Sequence, residues 1–195
     1  MKSSADITKF GLPILETKRL LLKMFEDRDL ESAWRLFNND AVQKYLSPKN
    51  RRTRERMKIT LQNLAKNWKE RGFGLWRVSG KSSEEMFGYC GFQYLDRTPE
   101  IEILFAFHKD FWGNGIATEA ANACLRFGFE ELMFEKVFAV TLPENTASRR
   151  VLEKIGMVFE KRTTLYKLKT VTYSISRGNF EPTEDFYKLS YKNYD

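Results

Sequence analysis

The sequence predicts an α/β fold of the α+β kind: a mixed, mostly antiparallel central sheet flanked by helices. Strand-like and helix-like stretches alternate along the chain, two aromatic-rich runs flank a short polar loop, and no repeat or linker divides the whole. The 195 residues fit a single domain spanning residues 1–195, since a domain holds roughly 100 to 200 residues. Hydrophobic residues at 42%, including 16 Phe, supply a sizeable core and argue against disorder despite 30% charged residues.

Arg19 to Phe25 reads as a strand. Asp27 or Asp29 is then placed to cap a helix whose apolar face is Leu30, Ala33, Trp34 and Phe37, with Asn38 and Asn39 ending it. A second helix runs from Thr53 to Arg71 with Met57, Leu61, Leu64, Ala65 and Trp68 on one face, and Gly72 terminates it. Leu75 to Ser79 and Met86 to Leu95, around a polar loop, form an antiparallel hairpin. Ile101 to Phe107 carries apolar residues on both faces, which predicts a central strand. Beyond the turn at Trp112 to Gly115, a helix aligns Ala117, Ala120, Ala121, Cys124, Leu125 and Gly128 on one narrow face, small enough to sit close on a sheet. Lys136 to Thr141 is a further strand, Thr146 to Ile155 a helix ending at Gly156, and Val158 to Ser176 further strand material. Trp34, Trp68 and Trp76 fall in these periodic patterns and read as core.

Composition narrows the chemistry. Lys plus Arg number 33 against 26 Asp plus Glu, a net charge of +7, so anionic partners are favoured. The longest wholly apolar run, Ile103 to Phe107, falls far short of the about 20 residues of a membrane helix, and Met1 to Phe10 lacks a signal-peptide core. No membrane association is expected, and a cytoplasmic location is. Cys90 and Cys124 lack the paired spacing of metal sites or disulfide frameworks, which fits a reducing compartment. His108 is the only histidine, which counts against a His-rich zinc site and a Ser-His-Asp triad. No metal is expected, and proton transfer falls to carboxylates, hydroxyls or water.

The strongest local signal is a strand followed by Phe111-Trp112-Gly113-Asn114-Gly115-Ile116-Ala117-Thr118 and an amphipathic helix. Two glycines let the backbone approach a ligand, and the unpaired N–H groups of the helix start attract a phosphate or pyrophosphate. Alone, the same glycines would equally serve a tight turn. No Lys-Ser/Thr follows them and no three-glycine dinucleotide fingerprint is present, so an ATPase or dehydrogenase is disfavoured.

Four segments in order resemble the GNAT superfamily of N-acetyltransferases, in the branch of the RimJ/RimL N-terminal acetyltransferases of ribosomal proteins. They are Leu15-Glu16-Thr17-Lys18-Arg19-Leu20-Leu21-Leu22, Phe87-Gly88-Tyr89-Cys90-Gly91-Phe92, Trp112 through Ala120, and Asn145-Thr146-Ala147-Ser148 leading to Glu153-Lys154-Ile155-Gly156-Met157. The resemblance spans about Leu15 to Arg177. It implies a GNAT-like acyl-CoA N-acyltransferase fold and acetyl-CoA as co-substrate, its pyrophosphate resting on the amides of Gly113, Asn114, Gly115, Ile116, Ala117 and Thr118. It further implies that pantetheine runs along the splayed edge of the preceding strand at Phe105, Ala106 and Phe107, with Asn145 bonded to the pantetheine arm. Seven residues after that Asn the superfamily often has a tyrosine acid; Leu152 stands here, so that role does not carry over.

Two catalytic candidates remain. Ser148, one helical turn before Val151 and Leu152, faces inward with Ile155, where a hydroxyl can bond the thiolate leaving group; bonding to its own helix carbonyl is the structural alternative. Glu102 shares a strand face with Leu104 and Ala106, where a carboxylate is costly to bury unless paired or used, and the branch resemblance places an acid there near the acceptor amine. Glu100 is its alternate and a strand-end salt bridge its structural alternative. His108 reads as a loop residue. The cluster from Lys49 to Lys58, with Arg51, Arg52, Arg54 and Arg56, reads as solvated helix surface, while the resemblance sets it beside the acceptor cleft.

The expected activity is direct acetyl transfer, without an acyl-enzyme, from acetyl-CoA to a primary amine, foremost the N-terminal α-amine of a protein such as a ribosomal protein. Glu102 would take the amine proton and Ser148 would serve the thiolate. A polyamine, amino acid or antibiotic acceptor is the nearest alternative. A basic RNA- or ribosome-binding module retaining CoA is another, though no RRM-type signature appears. Ribosome association and a monomer or homodimer complete the expectations.

Overall fold

The computed structural model describes residues 11–45, 51–183 and 186–192. Among the described residues nine strands form one sheet: β1 (Leu12–Thr17), β2 (Leu20–Met24), β3 (Leu75–Gly80), β4 (Met86–Tyr94), β5 (Ile101–Phe107), β6 (Lys136–Thr141), β7 (Val158–Leu165), β8 (Leu168–Ser176) and β9 (Tyr187–Lys192). Their order is β7-β8-β6-β5-β4-β3-β2-β1-β9. The helices are α1 (Leu30–Asn38), α2 (Asp40–Gln43), α3 (Arg54–Arg71), α4 (Ile116–Glu130) and α5 (Thr146–Lys154). Every described neighbour pair is antiparallel except β5 with β6, which α4 connects. A parallel pair needs such a crossover, because a short turn can only return the chain antiparallel.

The small face of α4 seats close on the sheet. Ala120, Ala121, Cys124, Leu125 and Phe127 are buried in one cluster with Trp76, Phe92, Ile103, Val137 and Tyr173. Gly128 belongs to that fit, because a Cβ there would sit 2.9 Å from the Phe92 ring. On the other side, Ala33, Leu36 and Phe37 of α1 and Met57 and Leu61 of α3 pack with Tyr89, Met86 and Leu75. The sheet is thus covered on both faces, and β5 lies between β4 and β6 as its apolar pattern predicts.

Several boundaries follow from local chemistry. Thr53 caps α3, its hydroxyl accepting from the Arg56 N–H, and left-handed Gly72 ends it. Asp29 precedes α1 but makes no side-chain cap; its carboxylate accepts from the Glu26 N–H at 2.8 Å and faces Arg77 at 3.2 Å. The capping expectation there yields to a buried ion pair. Trp68 and Trp76 are core, their rings edge to face at 4.5 Å. Trp34 is not: it is half-buried, lies 4.0 Å beneath the Arg54 guanidinium and donates to the Arg52 carbonyl. Strands β1 and β9 and the short α2 have no counterpart in the sequence reading, and Val158 to Ser176 resolves into the β7–β8 hairpin, which turns on Tyr166 and Lys167 with φ of 52° and 63°.

One buried carboxylate ties the β1–β2 turn to the start of α4. Glu119 accepts from Thr17 Oγ1 at 2.5 Å, from the Arg19 N–H at 2.9 Å and from Arg19 Nε at 2.5 Å. Arg19 Nη1 donates onward to the Asn114 carbonyl at 2.9 Å. Charged hydrogen bonds contribute about 1.5–3 kcal/mol each, though the half-exposed Arg19 side chain places its share at the low end. Glu119→Ala is expected to lower unfolding free energy by about 2 kcal/mol or more, read from the urea midpoint at unchanged m-value.

Candidate active site

Strands β5 and β6 pair only at Ile101 with Val137 and Glu102 with Phe138. Beyond these positions the parallel ladder stops, although β5 stays paired with β4 to Phe107 and Gly88, and β6 with β8 to Thr141 and Val171. The two strands therefore part, and a cavity of about 830 Å³ opens between them, lined by Phe105, Ala106 and Phe107 on one side and Ala139, Val140 and Thr141 on the other. On the β6-facing edge of β5 the backbone groups past Glu102 have no ladder partner, which leaves those other than the Phe107 carbonyl available to a ligand.

At the far end of β5 the cavity meets the glycine turn. Gly113 and Gly115 have φ of 78° and 75°, a region other residues rarely adopt, and a Cβ at Gly113 would meet nothing within 4 Å. The open space beside Gly113 and the free amides at the start of α4 suit a diphosphate. Gly113, Gly115, Ile116, Ala117 and Thr118 line the cavity. Asn114 is tied instead to Arg19 through its carbonyl, which fixes the turn. Trp112 braces the same turn, its indole N–H donating to the Phe107 carbonyl at 2.8 Å.

Asn145 and Ser148 enter from α5, and both line the cavity. Asn145 is the helix cap, its Oδ1 accepting from the Ser148 N–H at 3.1 Å. Only its amide NH2 is left to address a ligand. The Ser148 hydroxyl has no hydrogen-bond partner among the described residues, so it does not bond back to its own helix.

Glu102 lines the cavity at the end opposite the glycine turn and is only 3% exposed. Strand rise of about 3.3 Å per residue puts roughly 16 Å between it and the Phe107 end, a span suited to an extended carrier arm. Its carboxylate accepts from Gln93 Nε2 at 2.9 Å and from the Tyr166 hydroxyl. Gln93 faces Glu102 directly across the β4–β5 ladder, while Tyr166 comes from the tip of the β7–β8 hairpin. The hairpin tip is itself anchored, the Tyr166 N–H donating to Asp96 Oδ2 at 2.9 Å and the Asp96 N–H donating to the Tyr166 hydroxyl at 3.1 Å. Burial pushes the Glu102 carboxyl above the usual carboxylate range, against the opposing pull of the Tyr166 and Gln93 donors. Burial and the adjacent carboxylate likewise push the Tyr166 phenol up.

The remaining candidates lie elsewhere. Glu100 is exposed, His108 is half-buried with its ring pKa lowered by burial, and neither lines the cavity. Arg51, Arg54, Arg56 and Lys58 are solvated, whereas Arg52 lines the cavity; Lys49 falls outside the described residues. Sequence reasoning missed Gln93, Asp96 and Tyr166, which no spacing connects to Glu102. It also missed the Arg19–Glu119 clasp, although both residues stand in the quoted motif segments.

A parallel β-α-β unit whose strands part around a cavity, with a glycine-opened helix start at one end, is the arrangement that the resemblance to N-acetyltransferases implies. Comparison with known proteins specifies the class. Residues 19–158 match the acetyltransferase (GNAT) domain family. The chain is 40% identical over 154 residues to the YkkB protein of Bacillus subtilis (strain 168), covering 75% of this chain and 86% of that one. It is 32% identical to the N-acetyltransferase YoaA of the same organism, covering 78% and 86%. In structure it resembles the ribosomal-protein-S5-alanine acetyltransferase of Vibrio fischeri with a TM-score of 0.72, at 19% identity and over 87% and 99% of the two chains. The chain belongs to the GNAT family and is an acetyl-CoA-dependent acyltransferase. Among the described residues no helix is long and apolar enough to cross a membrane.

Gly115→Val places a β-branched residue at φ near 75°, where it is strained. Titration calorimetry should find acetyl-CoA binding lost in this variant while its far-UV circular dichroism stays native; wild-type affinity would remove the turn from the binding site.

Proposed function

We propose that this enzyme moves the acetyl group directly from acetyl-CoA to the N-terminal α-amine of a protein, with ribosomal proteins as the acceptor class. The observation that carries the proposal is the buried Glu102 carboxylate facing the cavity, one strand's length from the glycine turn. Only a neutral amine is nucleophilic. An α-amine loses its proton near pH 8, against about 10.4 for lysine, so a carboxylate raised above its usual range can serve as its base. The fold likeness to a ribosomal-protein acetyltransferase supports the same acceptor class.

Acetyl-CoA supplies the activated thioester carbonyl, and the chain does the rest. The amides from Gly113 to Thr118 and the Asn145 side chain hold the carrier, and the unpaired edge of β5 orients it. Backbone N–H groups on that edge face the carbonyl oxygen as charge builds there. Glu102 takes one proton from the ammonium to free its lone pair, the second N–H proton lost as the adduct collapses goes to the departing sulfur, and the Ser148 hydroxyl steadies that sulfur with a hydrogen bond. Neither cysteine acts as a nucleophile: both are buried, and burial pushes the Cys124 thiol well up. Positioning provides much of the acceleration.

A mass-spectrometric acetylation screen over peptides with free N-termini, lysine peptides and small amines tests the assignment. Peptide α-amines should dominate; exclusive modification of small amines, or no transfer to any of them, would overturn it. Glu102→Gln should lower kcat by about 100-fold or more with little change in the KM for acetyl-CoA. In the wild type the fall of kcat/KM on the acid side should lie above the ordinary carboxylate pKa of about 4.3, because burial disfavours the charged base. Tyr166→Phe removes a donor to that carboxylate, so Glu102 should protonate more readily and the acid limb should move to higher pH. A limb that stays in place, or moves down, would detach Tyr166 from the base.

A further inference from the structure

On the face of β4 and β5 that carries Tyr89, Gln93, Glu102, Leu104 and Ala106, the cavity continues beneath α1 and α3 to Arg52. Arg52 is held at both its backbone and its side chain. Its N–H donates to Asn38 Oδ1 at 3.1 Å, and its carbonyl accepts from Trp34 Nε1 at 2.8 Å and Asn38 Nδ2 at 3.1 Å. The guanidinium lies 4.7 Å from the Phe37 ring centre and donates through Nη1 to Thr60 Oγ1 at 2.8 Å. Thr60 spends its own proton on the Arg56 carbonyl, so it can only accept from Arg52.

Three neighbouring cations are matched by carboxylates. Arg51 pairs with Asp40, Arg54 with Glu31 through two hydrogen bonds of 2.7 and 3.0 Å, and Arg77 with Asp29. Arg52 has no acidic partner among the described residues, yet it is partly withdrawn from water, and burial lowers its pKa. A half-buried guanidinium that lines a cavity, with donors to spare, fits a planar two-oxygen anion. We propose that Arg52 binds a carboxylate of the acceptor, so that the preferred substrate is an amine carrying a carboxylate close to its reactive nitrogen. This rests on the transferase reading of the same cavity, with the amine at Glu102 and the acid at Arg52. An acidic side chain at the start of a peptide and the α-carboxylate of a free amino acid share that chemistry.

The test uses peptides differing only by Asp against Asn, or Glu against Gln, at the first two positions, with free amino acids and their amides in parallel. In the wild type, kcat/KM should favour each acid over its amide by about tenfold or more, the effect of one charged hydrogen-bonded pair. Arg52→Gln should bring that ratio close to one, and Arg52→Lys should keep part of it. Preference for free amino acids over their amides would retain Arg52 and move the carboxylate off the peptide. Equal rates for acid and amide in the wild type, or a ratio that survives Arg52→Gln, would overturn the proposal. Calorimetric binding of the N-acetylated acid and amide products to the CoA-bound enzyme measures the same ratio without turnover. Discrimination in binding with no acetylation of any acceptor would sink the transferase reading and keep Arg52, whereas acetylation without discrimination would do the reverse.

Discussion

The site depends on a ladder that stops early. Two strands in a parallel sheet normally pair along their length, yet β5 and β6 share only two residue pairs before they separate. Each remains bonded to its other neighbour, so the opening costs neither strand its place in the sheet. The cavity walls are therefore regular β-structure, stiffer than loops, and one edge of β5 has its polar backbone turned toward the gap. A ligand that lies along that edge is held as a third strand would be.

The second requirement is that the glycine turn keep its shape. Left-handed glycines allow the turn without enforcing it. Enforcement comes from the β1–β2 connection, where Arg19 bonds both the Asn114 carbonyl and the buried Glu119 carboxylate. Residues about a hundred positions apart thereby act as one clasp, and the start of α4 is fixed relative to the sheet. The Trp112 indole bonded to the Phe107 carbonyl secures the other side of the turn. The shape of the turn is thus a property of the scaffold, and little of it falls to flexible side chains.

Much of this was legible in the residues. The apolar two-faced pattern of Ile101 to Phe107 put β5 inside the sheet, and the small-residue face of α4 anticipated its close seat. The glycines and helix start at Gly113 to Thr118 pointed to an anion site or a tight turn, and the structure puts that turn at one end of the cavity. What could not be read were contacts made by distant segments at special backbone angles. Tyr166 reaches Glu102 only because the β7–β8 hairpin turns through two residues with positive φ, and neither Tyr nor Lys advertises such a turn. Arg52 sat inside a run of cations that looked uniformly solvated; its difference lies in Phe37, Thr60 and Asn38, which arrive from other elements. Asp29 failed as a cap for a related reason, since the buried Arg77 of β3 claims its carboxylate.

The Tyr166 hydroxyl also joins two environments. Glu102 is 3% exposed, while Tyr166 is 40% exposed and donates to it. Acetylating a protonated amine and releasing a thiol leaves one surplus proton per turnover, and in the proposed chemistry it resides on a carboxylate shut away from water. Tyr166 is also a wall of the cavity, so the side chain that touches the base is the same one that reaches the exposed hairpin tip.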